Sequence, residues 1–471
     1  MERELGKIGQ PMTESLASGD MRGNPLRMEK LSHVRSQFER AVMEDTMNSS
    51  DTAEPNPDAK GARTPGRKAV SFLVVTAFLN TMGFGVLSPV LPFIVQKYIS
   101  DQHTLATVVG WLVTAYALCQ FIAAPGLGLL SDRYGRRPLL LICLLGSAVG
   151  YVLFGLGGAL WVLFLGRIID GLTGGNTSIL FAYIGDISAP EERARYFGLF
   201  GAAAGLGFIV GPLVGGFASQ ISYAAPVYLA AAIFAANSIW GYFNFPESLG
   251  KERRAARTSL AELNPLKQLR SVFALPRVRW LLLATFFFAF PFAVFSSITI
   301  VLVKDSLGWT PVGIGLIYFA VGVGDILMQG VLIGRLLPLF GEVKLAMAGL
   351  VCEMLAYLLI GFIAVVPSPL LLWAGILVYI VGSGLIEPSL GGLISRAAGP
   401  RQQGVVQGGS QSMESLGRIL GPLYGGTLYA RFGHASPYWS GALIVGLALL
   451  AMGHAIPSLQ AHQPEPGSSQ S

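Results

Sequence analysis

Long apolar runs separated by short polar segments occupy the chain from Ala69 onward. Each run is roughly 20 residues long, which lets a helix cross the hydrocarbon core of a bilayer. The runs do not alternate apolar and polar positions over about 10 residues, as the strands of a transmembrane β-barrel would. The pattern predicts an all-α integral membrane protein with about twelve transmembrane helices, over residues 70–94, 105–130, 138–158, 160–185, 195–219, 224–245, 279–302, 311–334, 343–366, 369–394, 404–430 and 435–456.

Polar segments set the predicted domain boundaries. Residues 1–68 are rich in Ser, Pro and mixed charges and have no sustained apolar period, which predicts a disordered tail. A second polar stretch divides the spans six and six. We therefore expect an N-terminal six-helix bundle over 69–245, a linker over 246–278, a C-terminal six-helix bundle over 279–457 and a short tail over 458–471.

A glycine–proline motif occurs in the fifth predicted span and again in the eleventh. The first copy has its fixed residues at Gly207, Gly211, Pro212, Gly215 and Gly216. The same residue types return at the same spacing between Gly417 and Gly426. Glycines four residues apart let helix backbones approach closely. The repeat predicts two pseudo-symmetric, parallel halves, an arrangement that recurs among transporters.

Basic residues gather on one face of the predicted bundle. The loops on that face include Arg133, Arg136, Arg137, Arg193, Arg195, Arg335 and Arg396. The other face has little beyond Lys97, Lys304 and Arg431. Because cytoplasmic loops carry an excess of Lys and Arg, we expect both termini in the cytoplasm and the protein in the plasma (inner) membrane. The net charge of +6 then reflects orientation in the lipid bilayer rather than binding to nucleic acid.

The loop after the second span reads GLLSDRYGRRP and predicts a conformational or gating motif. Its candidate residues are Gly128, Asp132, Arg133, Gly135, Arg136 and Arg137. Gly135 suits a tight turn, and Asp132 can form charge-assisted hydrogen bonds with the arginines. Such a cluster can hold one conformation and release another. A plain basic loop would explain the arginines, but not Asp132 with both glycines.

This loop resembles the signature of the major facilitator superfamily, and the likeness extends over residues 70–457. Within that superfamily the chain looks most like the tetracycline efflux proteins and related twelve-span drug:proton antiporters. The first span from Phe78 to Pro92 and the AYIGDI segment from Ala182 resemble theirs. The resemblance implies the major facilitator fold, in two pseudo-symmetric six-helix bundles, with small-molecule substrates exchanged against protons. It also implies that the motif around Pro212 is of the antiporter type.

Arg167 and Asp170 lie three residues apart in the fourth span and so share a helix face. The segment is similar to the family pattern R-x-x-x-G-x-x-G-G, whose arginine is thought to support proton transfer. Arg167 and Asp170 are therefore candidates for proton coupling. A structural ion pair between them is the alternative.

Further candidates for proton coupling are the acids of the C-terminal half. A carboxylate inside a membrane span is a functional candidate, because hydrocarbon disfavours its charged form and lets it take up and release protons. Glu353 lies where the resemblance places an aspartate implicated in coupling, and Asp325 lies where it places a histidine. Glu387, before a proline in a Gly-rich span, is the third candidate. Glu414 and Arg418 are spaced as a neutralised pair.

Asn80, Gln120 and Asn176 are polar residues within apolar spans and are predicted to line the substrate cavity. The tetracycline exporters carry an aspartate where this chain has Asn80. Asn80 can form hydrogen bonds but cannot titrate.

Together these features predict a proton-coupled secondary transporter that exports drugs or other small lipophilic molecules, an antiporter similar to the tetracycline-resistance proteins. One alternative is uptake of a small solute by proton symport or facilitated diffusion. A second is a non-transporting membrane receptor on the same fold. No pattern of catalytic residues, nucleotide-binding loop or metal ligands occurs in the sequence. We therefore expect no enzymatic activity, no cofactor, no metal and a monomeric protein.

Overall fold

The computed structural model describes residues 67–188, 192–250, 252, 254, 276–398 and 403–460. Residues 1–66 of the predicted disordered tail, most of the linker and most of the C-terminal tail lie outside these residues, whereas residues 67 and 68 begin the first helix. The helices belong to one compact unit from Thr64 to Ser471.

Six helical segments make up the N-terminal half. They are α1 (Arg67–Leu87, continued by Ser88–Val90 and Leu91–Val95), α2 (Gln102–Tyr134), α3 (Arg136–Leu156), α4 (Leu160–Gly174 and Thr177–Ile187), α5 (Arg193–Ala218) and α6 (Ala225–Asn244).

Six more make up the C-terminal half. They are α7 (Pro276–Leu307), α8 (Pro311–Leu327, a π-helical turn Met328–Leu332, and Ile333–Phe340), α9 (Glu342–Phe362), α10 (Pro369–Ala397), α11 (Gln403–Phe432) and α12 (Ser436–Gln460).

Ten of the described helices are long and apolar enough to cross a membrane. The other two predicted spans correspond to α4 and α11. The first is broken at Gly175, where an added Cβ would lie 2.9 Å from the Ala124 Cα of α2. The second carries Glu414, Arg418 and a run of Gln, Gly and Ser. Both pack on helices of the bundle, α4 against α2 and α3, and α11 against α2 and α7.

The two halves repeat the same packing. In the N-terminal half α1 packs on α5, α3 on α4, and α6 on α3. In the C-terminal half α7 packs on α11, α9 on α10, and α12 on α9. Between the halves α2 packs on α11 and α5 on α8. This is the pseudo-symmetry that the sequence repeat predicts.

Glycines of the repeated motif bring helices of the same half together. An added Cβ on Gly211 of α5 would lie 2.5 Å from the Met82 oxygen of α1. On Gly421 of α11 it would lie 2.7 Å from the Phe290 oxygen of α7. Side chains at these positions would push the paired helices apart, so the motif permits backbone-to-backbone packing.

The last glycine of each copy meets the opposite half. An added Cβ on Gly216 would lie 2.8 Å from the Pro311 oxygen of α8, and on Gly426 it would lie 2.5 Å from the Ala106 oxygen of α2. The Thr114 hydroxyl of α2 also donates a hydrogen bond to the Ile419 carbonyl at 2.9 Å. These contacts form a seam between the halves, which we call the inter-half seam.

The inter-half seam lies at the face opposite the loop of residues 132–137, because α2 and α8 begin there and α5 and α11 end there. Towards the loop face the halves separate. Among the described residues, no heavy atom beyond the neighbouring part of α5 itself comes within 4 Å of an added Cβ on Gly201 or Gly205. The fold is therefore closed at the inter-half seam, and a cavity opens towards the loop face.

Candidate functional site

A cavity of about 1050 Å³ lies between the two halves. Its walls come mainly from α1, α2, α4 and α5 on one side and from α7, α8, α10 and α11 on the other. Apolar and aromatic side chains make up much of the surface, including Phe84, Tyr116, Phe292 and Tyr379. This size and character suit a small, largely apolar molecule.

Amide side chains form the polar part of the N-terminal wall. Asn80 of α1 donates a hydrogen bond from Nδ2 to Asn176 Oδ1, 3.0 Å away at the break in α4. Gln120 of α2 donates from Nε2 to the Gly174 carbonyl at 3.0 Å. All three amides line the cavity, and they form an uncharged hydrogen-bonding surface. That they bind a substrate stays a prediction.

Arg167 and Asp170 form a buried ion pair beside this wall. The Arg167 Nη1 lies 3.1 Å from Asp170 Oδ2, and the two residues are only 3% and 4% exposed. The guanidinium also lies over the Tyr116 ring, 4.3 Å from its centroid. Asp170 reaches the cavity, whereas Arg167 lies behind it. The geometry favours the ion-pair alternative, since each charge has a partner.

Two acids line the C-terminal wall, each with a neutral hydrogen-bond partner. Asp325 of α8 accepts a hydrogen bond from the Ser383 hydroxyl of α10 at 2.8 Å. Glu387 of α10 accepts one from Gln329 Nε2 of α8 at 3.0 Å. Within the described part of the chain neither carboxylate has a salt-bridge partner. This wall therefore gains negative charge when the acids are ionised.

Glu353 of α9 lies behind α10 and does not line the cavity. Its side chain is fully buried, and neither carboxylate oxygen has a hydrogen-bond partner among the described residues. Gly382 of α10 packs directly on it, since an added Cβ there would lie 2.8 Å from Glu353 Cγ. The neighbouring Ser383 faces the cavity. One turn of α10 thus separates Glu353 from the substrate space.

A smaller pocket of about 350 Å³ joins the C-terminal wall on the side of α7 and α11. Glu387 and Arg418 line both this pocket and the central cavity. Arg418 Nη2 lies 3.5 Å from Glu414 Oε2, so these residues form the pair that their spacing predicts.

The loop motif forms a charge network within the N-terminal half. Gly135 has a φ of 107°, a backbone conformation that favours glycine, and it makes the turn between α2 and α3. Arg136 is buried, with Nη2 2.6 Å from Asp132 Oδ1 and Nε 3.1 Å from Asp186 Oδ2. It therefore ties together the loop-side ends of α2, α3 and α4.

The other two arginines of the loop do not meet Asp132 in a salt bridge. Arg133 lies over the Tyr134 ring, and Arg137 lies over the Tyr242 ring. The backbone N–H groups of Arg136 and Arg137 donate to Glu247, which follows α6. Sequence reasoning missed Glu247, because nothing local relates it to a loop more than 100 residues earlier.

A second loop-face ion pair occupies the equivalent place in the C-terminal half. Glu342 begins α9 and pairs with Arg396 at the end of α10. The corresponding N-terminal pair is Arg136, at the start of α3, with Asp186, at the end of α4. The charges are reversed between the halves. The sequence repeat of about 210 residues could have predicted this ion pair from its N-terminal counterpart. Gln329 could likewise have been predicted to share a helix face with Asp325, because the two residues are four apart.

Comparisons with known proteins agree with this architecture. The chain matches the Major Facilitator Superfamily over residues 73–422 and again over 281–470. It is 34% identical to the tetracycline resistance protein, class C, of Escherichia coli, over 81% of this chain and 94% of that protein. It is 29% identical to multidrug resistance protein 2 of Bacillus subtilis, over 80% of this chain and 93% of that protein.

A solved structure shows the same fold. The crystal structure of the human organic anion transporter MFSD10 superposes with a TM-score of 0.61 at 24% identity, covering 83% of this chain and all of that one. Together with the apolar helices, these matches make the protein a multi-pass membrane transporter and not an enzyme. The chain belongs to the Major Facilitator Superfamily.

Proposed function

We propose that this protein is a proton-coupled antiporter that exports drugs or other small lipophilic molecules. The observation that carries the proposal is the cavity between the halves, with an apolar and aromatic lining and two acids that have neutral hydrogen-bond donors and no salt bridge within the described residues. The likeness to tetracycline and multidrug resistance proteins supports export over uptake.

Exchange of substrate for protons follows because both compete for the same two carboxylates. Asp325 and Glu387 can be neutralised by protons or by a positively charged part of a substrate, because both face the cavity. A substrate that binds when they are ionised is displaced when they are protonated. Lipophilic molecules with a positive charge are thus the preferred substrates, and the amides Asn80, Gln120 and Asn176 offer hydrogen bonds to their polar groups.

Glu353 is the proposed coupling residue behind this wall. An ionised carboxylate that is fully buried without a partner is very costly, so Glu353 holds its proton in the conformation seen here. Its release requires that α10 move away at Gly382 and Ser383. Proton release thereby becomes tied to a rearrangement of the cavity wall.

The remaining assignments follow the sequence. We propose that the protein acts as a monomer in the plasma (inner) membrane, with the loop of residues 132–137 and both termini in the cytoplasm. The arginines of the loop face support this orientation. The cavity then opens to the cytoplasm, from which an exporter takes its substrate.

The test is a susceptibility and efflux panel in an efflux-deficient host. It compares tetracycline, the lipophilic cation ethidium and the organic anion fluorescein, with and without an uncoupler. We expect less accumulation of tetracycline or ethidium in expressing cells, and loss of that effect on uncoupling. Glu353→Gln should abolish coupled export while leaving the protein in the membrane.

Three outcomes would contradict the proposal. Greater accumulation of a compound would indicate uptake instead of export. Unchanged coupled export by Glu353→Gln would remove Glu353 as the coupling residue. Normal function after neutralisation of Glu353, Asp325 and Glu387 together would favour a non-transporting receptor.

A further inference from the structure

The π-helical turn Met328–Leu332 interrupts α8 beside the cavity. π-Helical turns are rare in proteins, and those that do occur often lie at functional sites. Met328 is buried and fills the space that a Cβ on Gly384 of α10 would need, while the next residue, Gln329, faces the cavity. At this turn α8 therefore lies close to α10, and Gln329 lies beside the contact, on the cavity side.

Two hydrogen bonds join α8 and α10 across this approach. Asp325 pairs with Ser383, and four residues further along both helices Gln329 pairs with Glu387. Residues at i and i+4 share a helix face, so the two hydrogen bonds lie next to each other between α8 and α10. In the second hydrogen bond the neutral amide of Gln329 donates to the carboxylate of Glu387.

We propose that Gln329 is a positioning residue for Glu387. Its amide, held by the π-helical turn, fixes the carboxylate on the cavity wall and favours the ionised form there. A hydrogen bond donated to a carboxylate stabilises its charged form, and Glu387 has no salt bridge in the described part of the chain to do the same. This inference rests on the proposed function, in which the acids of this wall exchange protons.

Several charged groups lie near enough to Glu387 to influence its titration electrostatically, although one of them, Glu353, lies behind α10 and outside the cavity. They are Asp325 on α8, Glu353 on α9, and Glu414 and Arg418 on α11. Interacting acids titrate together. The effect of Gln329 on the carboxyl titration must therefore be compared between proteins with and without Glu387.

Infrared titration of the purified protein in liposomes gives that difference without any transported ligand. The signal of protonated carboxyl groups is followed against pH for the wild type, Gln329→Leu, Glu387→Gln and the double variant. The part of the signal that changes in Glu387→Gln contains the titration of Glu387 together with its effect on the neighbouring acids. We expect Gln329→Leu to move the midpoint of that part upward by about one pH unit, the order expected for one hydrogen bond to a charged group.

Gln411→Leu is the matched control. Gln411 is an amide on α11 that donates to Glu414 Oε2 at 3.3 Å, and it does not line the cavity. Its substitution acts on Glu387 only through Glu414, so it should move the Glu387 midpoint much less than Gln329→Leu does. Gln329→Ala repeats the test without added bulk, should leucine disturb the packing of α8.

An unchanged midpoint in both Gln329 variants would overturn the proposal. So would an equal change of the carboxyl titration by Gln329→Leu in the Glu387→Gln background, because the amide would then act through another group. Failure of export by the wild type would instead defeat the proposed function, and the infrared titration is independent of that result.

Discussion

At the scale of single residues, the acids within the membrane spans differ in what surrounds them. Asp170 has Arg167 at 3.1 Å. Asp325 and Glu387 have neutral hydrogen-bond donors, and Glu353 has no partner in the described part of the chain. A paired charge can remain ionised during transport, whereas an unpaired buried acid must stay protonated or gain access to water. This difference supports the proposed role of the C-terminal acids in proton exchange, whereas Asp170 is held in an ion pair with Arg167.

The Arg167–Asp170 pair can be tested by removing its charges singly and together. Arg167→Met leaves a buried carboxylate without its cation, which costs about 3–5 kcal/mol in comparable pairs. The double variant Arg167→Met/Asp170→Asn removes both charges and should recover much of that loss. Thermal unfolding in detergent measures the stabilities. A double variant no more stable than Arg167→Met would show that the two residues do not act as a pair.

At the scale of helices, the glycine motif has two separable tasks. Gly211 and Gly421 bring together helices of one half, and Gly216 and Gly426 bring the two halves together. Substitutions within a half should affect folding, because those contacts persist in every conformation. Substitutions across the halves should affect the balance between conformations, because the inter-half seam opens when the cavity faces the other way.

Gly216→Ala and Gly426→Ala are expected to weaken the inter-half seam and shift the protein towards the conformation that opens there. A cysteine at Val113, which lines the cavity on α2, reports this opening in a background lacking Cys119, Cys143 and Cys352. Its labelling by an impermeant thiol reagent applied at the face of the inter-half seam should rise several-fold.

Gly211→Ala is the control within one half. Its added methyl would press on α1, so we expect a loss of about 1–3 kcal/mol in stability without the rise in Val113→Cys labelling. Equal labelling of all three glycine variants would contradict the division of tasks.

At the scale of the whole molecule, the halves share their architecture but not their chemistry. Each half carries an ion pair between two of its own helices at the loop face, but Arg136 in the N-terminal pair is buried while Arg396 in the C-terminal pair is two-thirds exposed. The central cavity is likewise uneven, because one wall carries amides and the Arg167–Asp170 pair, whereas the acids Asp325 and Glu387 of the other wall have only neutral hydrogen-bond donors within the described residues. The acids proposed to exchange protons thus all lie in the C-terminal half.

The unequal ion pairs predict unequal sensitivity to the loss of their arginines. Arg136→Ala strands Asp132 and Asp186 and should cost about 3 kcal/mol or more. Arg396→Ala removes a mostly solvent-exposed charge and should cost less than about 1 kcal/mol. The difference appears as a clearly larger fall in melting temperature for Arg136→Ala. Similar losses for both would show that burial does not distinguish the pairs.

Most helices could be predicted from their own residues, whereas two depend on the helices that pack against them. Every predicted span overlaps a helical segment, but only ten segments are long and apolar enough by themselves. The exceptions, α4 and α11, depend on their neighbours: Gly175 breaks α4 where it meets Ala124, and the polar α11 lies between α2 and α7. The prediction of all-α architecture is confirmed, while the predicted roles of Asn80, Gln120 and Asn176 stay predictions.

The sequence by itself determined the helices, the duplication and the basic face, because span length, glycine spacing and loop charge are all read along the chain. Only the tertiary structure decided which acids share a wall. It paired Asp325 with Ser383 and Gln329 with Glu387, and it placed Glu353 behind α10. Those relations join helices that are distant in sequence, and they depend on side chains that meet only after the helices have packed.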